Sequence, residues 1–84
     1  MKKIIKKIES ASELTVAEQL EMLDLSDKVE LLDIYLSFGN YFCDEAQLKM
    51  LELPQKAELL ETFLSRGNDL CNEAEKKARE LGLI

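Results

Sequence analysis

The sequence contains no histidine and no tryptophan, and only one proline, three glycines and two cysteines. Without histidine the chain lacks the usual general base near neutral pH, the common nucleophile pairs and the commonest metal ligand. The glycines are isolated and form no phosphate-binding loop, and two cysteines alone form no zinc site of recognised spacing. The acidic residues do not follow the calcium-loop pattern of oxygen ligands around a glycine. We therefore expect no enzymatic activity, no catalytic residues, no cofactor and no metal site.

The formal net charge of −6 is unevenly distributed along the chain. Lys2, Lys3, Lys6 and Lys7 contribute +4 within the first eight residues, so the remainder carries −10. An acidic body repels a phosphate backbone, so we expect no nucleic-acid partner. No apolar run approaches the roughly 20 residues of a membrane-spanning helix, and none follows the lysines as in a secretory signal. The expected location is the cytoplasm.

A tandem repeat of about 28 residues dominates the sequence. The segment 22–25 recurs at 50–53, 28–33 recurs at 56–61, and 35–37 recurs at 63–65. Gly39-Asn40 and Cys43-Asp44-Glu45-Ala46 also return one repeat later. We predict a single helical-repeat domain over 1–84, with a degenerate N-terminal unit at 1–21, repeats at 22–49 and 50–77, and a C-terminal capping helix at 72–81.

Each repeat unit has the pattern of two short helices. Thr15 and Glu18 fit a capping box, and we expect Asp44 with Gln47, and Asn72 with Glu75, to repeat that arrangement. Pro54 suits a first helical position, while Gly39 and Gly67 suit the residue just past a helix. The predicted helices are 2–10, 16–24, 27–38, 44–52, 55–66 and 72–81. The predicted fold is all-α, either a short right-handed α-hairpin solenoid or a compact bundle of five to six helices.

Cys43 and Cys71 occupy equivalent positions in successive repeats. Equivalent positions in stacked hairpins lie about 10 Å apart, whereas a disulfide needs Cα atoms within about 7 Å. We predict two reduced, buried thiols.

The unit from Cys43 to Leu60 resembles short tandem helical repeats of uncharacterised bacterial proteins. It shares with them an E-A-x-x-K segment, then E-L-P, then A-E-L-L. The resemblance covers most of residues 16–81, but the first copy departs from it by having Ser26 where Pro54 stands. It implies an array of α-hairpins and no particular activity.

The remaining functional signal is on the predicted surface. Ile34, Phe38, Tyr41 and Phe42 form an apolar group at the end of one helix and its turn. Exposed aromatics there would be binding anchors, and the alternative is that Phe38 and Tyr41 pack under the N-terminal unit. The first helix, with isoleucines opposed by lysines, suits either a docked cap or a membrane surface or partner groove.

Two functions remain open at this point. The first is a non-catalytic helical-repeat module that binds a protein or peptide, with weak self-association as a variant. The second is an acidic effector or inhibitor that binds a basic protein surface as a polyanion mimic. A mimic should lose its partner as ionic strength rises, whereas a groove binder should lose it on Phe38→Ala or Tyr41→Ala.

Overall fold

Short helices build the whole of the described chain. The computed structural model describes residues 2–10 and 12–84, which contain six helices and no strand. Met1 and Ala11, which belong to the predicted N-terminal unit, lie outside the described residues, as do the side chains of Lys2 and Lys3. The helices are α1 (Lys2–Glu9), α2 (Val16–Met22), α3 (Lys28–Ser37), α4 (Asp44–Met50), α5 (Lys56–Ser65) and α6 (Asn72–Glu80). The all-α prediction is confirmed, and every helix end lies within two residues of its predicted position.

The helices form two layers. The odd layer consists of α1, α3 and α5, and in it α3 packs against both α1 and α5. The even layer consists of α2, α4 and α6, and in it α4 packs against both α2 and α6. Contacts of α2 with α3 and of α4 with α5 join the layers. The molecule measures 35 × 22 × 19 Å, and its radius of gyration of 11.8 Å matches the value of about 12 Å expected for a compact chain of this length.

The core lies between the two layers and is continuous along the molecule. On α3 it includes Leu31, Leu32, Tyr35 and Leu36, so this helix is covered on several sides. The rings of Tyr35 and Phe42 lie 6.0 Å apart at a tilt of 39°. At the C-terminal end α6 buries only Ala74 and Ala78.

The even-layer helices begin in two different ways. Thr15 caps α2 with the predicted capping box, in which Glu18 N–H donates to Thr15 Oγ1 and Thr15 N–H donates to Glu18 Oε1. The predicted boxes at Asp44 and Asn72 are wrong, because the N-cap residues of α4 and α6 are Cys43 and Cys71 and neither side chain makes a capping bond.

A glutamine from the preceding unit replaces the missing box. Gln19 Oε1 accepts the N–H of Cys43 at 2.9 Å, and Gln47 Oε1 accepts the N–H of Cys71 at 2.8 Å. Glu18 satisfies the N-cap amide of α2 from within the same helix, whereas the N-cap amides of α4 and α6 are satisfied by the preceding even-layer helix, α2 and α4 respectively. The two glutamines are buried, each about 6% exposed.

A glycine follows the end of each of the two later odd-layer helices, α3 and α5. Gly39 and Gly67 take positive φ values of 84° and 80°, which confirms them as the residues just past α3 and α5. At the other end of α5, Gln55 is the N-cap and Lys56 the first helical residue, so Pro54 lies in the preceding turn and not at the predicted first position.

Two further features bear on function. Cys43 and Cys71 are free thiols, but they are half-buried and not fully buried as predicted. Within residues 2–10 and 12–84, no helix combines the length and the apolar character needed to cross a bilayer.

Candidate interaction surface

Two aromatic side chains project from the turn after α3. Tyr41 is 70% exposed and Phe38 is 49% exposed, so the alternative that they pack under the N-terminal unit is wrong. Large apolar side chains that stay exposed on a folded surface are the usual anchors of protein interfaces. We call Phe38 and Tyr41 the aromatic surface.

The other two residues of the predicted surface lie deeper. Ile34 is half-buried and packs against the core, at the margin of the aromatic surface. Phe42 is 2% exposed and contacts Tyr35 within the core, so it cannot line a binding surface. Closeness in sequence, which grouped Phe42 with its neighbours, could not distinguish inward from outward positions, because residues 40–43 are not helical.

The backbone beneath the aromatic surface is held by hydrogen bonds. The N–H of Phe38 donates to Leu36 O, and the N–H of Gly39 donates to the same carbonyl at 3.0 Å. The Asn40 side chain donates to Tyr35 O at 3.2 Å. These bonds satisfy carbonyls at the end of α3 and fix the turn, so binding here would order little more than the side chains.

A small pocket of about 100 Å³ adjoins Tyr41 and is lined also by Glu13, Leu14, Gln19, Tyr35 and Asn40. At its base Tyr35 Oη accepts the N–H of Leu14 at 3.3 Å, while Gln19 donates to Leu14 O at 3.1 Å. Burial raises the pKa of Tyr35 above its usual value. The buried polar side-chain atoms around the pocket already have hydrogen-bond partners.

The N-terminal helix is docked on the domain. Ile4 and Ile8 are almost fully buried, α1 packs on α3, and Lys7 Nζ pairs with Glu18 Oε1 at 2.8 Å. The pair lowers the pKa of Glu18, chiefly through the hydrogen bond from Lys7. This arrangement agrees with the cap interpretation of the first helix and leaves Ile4 and Ile8 unavailable to a membrane or groove.

A second apolar surface, which the sequence analysis missed, lies at the outer side of α5. Leu64 is 41% exposed there, whereas Leu36, its equivalent one repeat earlier, is 4% exposed. Leu83 and Ile84 lie beside it. The signal in the sequence was Leu64 itself. It is apolar, although its position corresponds to that of Leu36, which is buried on the helix that α5 covers.

Carboxylates and thiols do not converge in the described part of the chain. No group of three or more cysteine, aspartate or glutamate side chains there is placed to hold a metal ion. Asp33 is instead engaged by Arg66 at 2.7 Å, and the hydrogen bond from Arg66 lowers the pKa of Asp33.

No protein-family model matches this chain, and comparisons with curated proteins and with solved structures find no significant similarity to either.

Proposed function

We propose that this chain is a non-catalytic helical-repeat module that binds a protein or peptide through the aromatic surface. In this proposal the two layers are a short right-handed α-hairpin solenoid that acts in the cytoplasm. The resemblance to bacterial tandem repeats, which implies an array of α-hairpins, agrees with this proposal. The observation that carries the proposal is the exposure of Tyr41 and Phe38 on a turn whose backbone is held in place.

Contacts that recur at the repeat interval support the solenoid part of the proposal. Gln19 and Gln47 make the same bond to the next unit, and Lys49 with Asp24 and Lys77 with Glu52 make the same ion pair at 2.9 and 2.8 Å. Stacked units whose interfaces repeat are the structural basis of solenoid proteins, which use their extended surfaces for binding.

The aromatic surface is not a requirement of the repeat. The residues that correspond to Phe38 and Tyr41 in the next unit are Arg66 and Asp69, which are polar and exposed. The fold therefore accepts charged side chains at both positions, and keeping two aromatics in water gains no folding stability. Aromatic side chains are enriched among the residues that dominate binding energy at interfaces.

The test is affinity capture from an extract of the source cells with three forms of the protein. The three forms are the wild type, a Phe38→Ala/Tyr41→Ala variant and a Val16→Ala/Leu81→Ala control, which removes two exposed apolar side chains at other places. We expect the wild type and the control to retain the same protein, and the aromatic variant to lose it. Retention by all three forms would refute the assignment of the aromatic surface.

The polyanion-mimic alternative is decided by salt in the same experiment. Exposed charge pairs weaken as the ionic strength rises from about 0.1 to about 1 M, because the Debye length falls from about 10 to about 3 Å. A partner held by the aromatic surface should stay bound across this range. A partner that is released by salt but retained by the aromatic variant would favour the mimic. Weak self-association through the same surface would appear as a concentration-dependent sedimentation coefficient that the aromatic variant lacks.

A further inference from the structure

We infer that the outer side of α5 is a docking site for one amphipathic helix of a partner protein, a helix that carries a lysine or arginine beside its apolar stripe. This surface consists of Ala57, Leu60, Glu61, Leu64 and Leu83, and we call it the α5 face. It is separate from the aromatic surface, so neither proposal depends on the other.

The α5 face is apolar and concave. A hollow of about 310 Å³ is lined by its five residues, and an adjoining hollow of about 250 Å³ shares Leu64. Asp69, Leu70, Glu75 and Ile84 complete the second hollow. Because the two hollows meet at Leu64 and Ile84 is 52% exposed in the second one, the apolar surface continues on both sides of Leu64.

The chain itself shows what covers such a face. On α3 the equivalent residues are Val29, Leu32, Asp33 and Leu36, and α5 packs on this helix. Arg66, at the end of α5, donates to Asp33 Oδ1 at 2.7 Å. Leu36 lies one turn after Asp33 on the same side of α3 and is buried. The covering element is therefore a helix that supplies apolar side chains and one cation.

The α5 face repeats these residue classes without the covering helix. Glu61 stands where Asp33 stands, and Leu64 stands where Leu36 stands. Glu61 and Asp69 make no ion pair within residues 2–10 and 12–84, and no lysine or arginine lines either hollow. An apolar centre with unpaired carboxylates at its rim is complementary to an apolar helix with a basic residue.

The neighbouring layer limits the occupant to a single helix. On α6 the positions equivalent to Leu48 and Leu51 of the preceding unit are Lys76 and Arg79, both exposed. Leu51 is 1% exposed and Leu48 is half-buried, so the preceding unit covers these positions wholly or in part, whereas α6 has charged side chains there. A second copy of this chain that stacked as a complete unit would have to bury those charges. One helix beside α5 leaves them in water.

The probe is a synthetic peptide of residues 54–68, which contains α5 and Arg66, because this is the helix that covers the equivalent face of α3. A staple on its solvent side holds it helical, since a short isolated helix is marginal in water. Fluorescence anisotropy would follow its binding to the intact protein, to Leu64→Asp and to a Leu81→Asp control, whose side chain is equally exposed in the wild type. We expect saturable binding that Leu64→Asp weakens by about tenfold or more, as for a residue at the centre of an interface, and that Leu81→Asp leaves unchanged.

A charge exchange provides the second measurement. A peptide with Arg66→Glu should bind the wild-type protein more weakly and regain affinity for the Glu61→Lys protein. No saturable binding, equal effects of Leu64→Asp and Leu81→Asp, or no recovery in the charge exchange would each overturn the proposal. Self-association of the wild type that Leu64→Asp abolishes would assign the face to a second copy and would also overturn it. Because Phe38 and Tyr41 are unchanged in these variants, failure here leaves the proposed function untouched.

Discussion

The side-chain oxygen of Gln19 accepts the backbone N–H of Cys43 at 2.9 Å, across the boundary between one helical pair and the next. The same side chain donates to Leu14 O at 3.1 Å, so one buried amide joins two units. Gln47 repeats this bridge between Phe42 O and Cys71 N–H. At the next equivalent position Glu75 pairs with Arg79 on its own helix. In α6, the last helix of the even layer within the described part of the chain, this position therefore makes an ion pair within its own helix and not a bond to another unit.

Replacing Gln47 with alanine should destabilise the protein strongly. The change leaves the C=O of Phe42 and the N–H of Cys71 without partners, and each unsatisfied buried group costs about 1 to 3 kcal/mol. We expect the free energy of unfolding to fall by about 2 to 4 kcal/mol, as measured by urea denaturation. The control is Gln55→Ala, which removes a glutamine whose side chain makes no capping bond. Equal losses for the two variants would show that the bridge contributes nothing specific.

Much of this fold could be predicted from sequence because its signals are local. The period of the apolar residues, Gly39 and Gly67 at the helix ends, and the capping box at Thr15 each depend on a few neighbouring residues. The role of Gln19 could not be predicted in this way. A polar residue in the middle of a short helix is usually exposed, and its burial depends on where the next unit lies.

The candidate surfaces depend even more on tertiary placement. Phe38, Tyr41 and Phe42 are close in sequence and similar in hydrophobicity, yet Tyr41 is 70% exposed and Phe42 is 2% exposed. Leu36 and Leu64 are identical residues at equivalent positions. The helix α5 packs on the helix that carries Leu36, whereas no further odd-layer helix follows α5 among residues 2–10 and 12–84. Only the packing of the odd layer distinguishes them.

The two leucines provide a matched pair of substitutions. Leu36→Ala removes a side chain that is 4% exposed and should cost about 2 to 5 kcal/mol, because it combines lost burial with a cavity. Leu64→Ala removes a side chain that is 41% exposed and should cost about 1 kcal/mol or less. Thermal and chemical denaturation of both variants would measure the difference. Similar costs would mean that another element covers Leu64 in solution.

The buried hydroxyl of Tyr35 should make stability sensitive to alkaline pH. Burial is the main reason that its pKa is raised, so the folded state holds the phenolic proton more tightly than the unfolded state. The resulting stability is fully present below the unfolded pKa of about 10 and is lost as the pH rises through the folded value. Tyr35→Phe should reduce this alkaline loss, and at neutral pH it should cost about 1 to 3 kcal/mol because Leu14 N–H loses its acceptor.

Tyr41→Phe is the control for this measurement, since it removes the hydroxyl of an exposed tyrosine that lines the same pocket as Tyr35. Unfolding would be followed from pH 7 to the alkaline limit of the instrument for all three proteins. If Tyr35→Phe and the wild type lost stability in parallel above pH 10, ionisation of Tyr35 would play no part in alkaline unfolding.

The pair between Arg66 and Asp33 should contribute to stability only above acidic pH. The guanidinium lowers the pKa of Asp33 below its usual value, so the contribution is present above the unfolded value of about 3.8 and is lost as the pH falls through the folded one. Both side chains are more than two-fifths exposed, so water and salt screen the pair and the effect is small. Arg66→Gln should flatten the pH dependence of unfolding below pH 4 and reduce its sensitivity to salt. Lys76→Gln removes an exposed charge from α6 as the control, and a slope equally flattened by both variants would show that overall charge, not the contact with Asp33, sets the acid response.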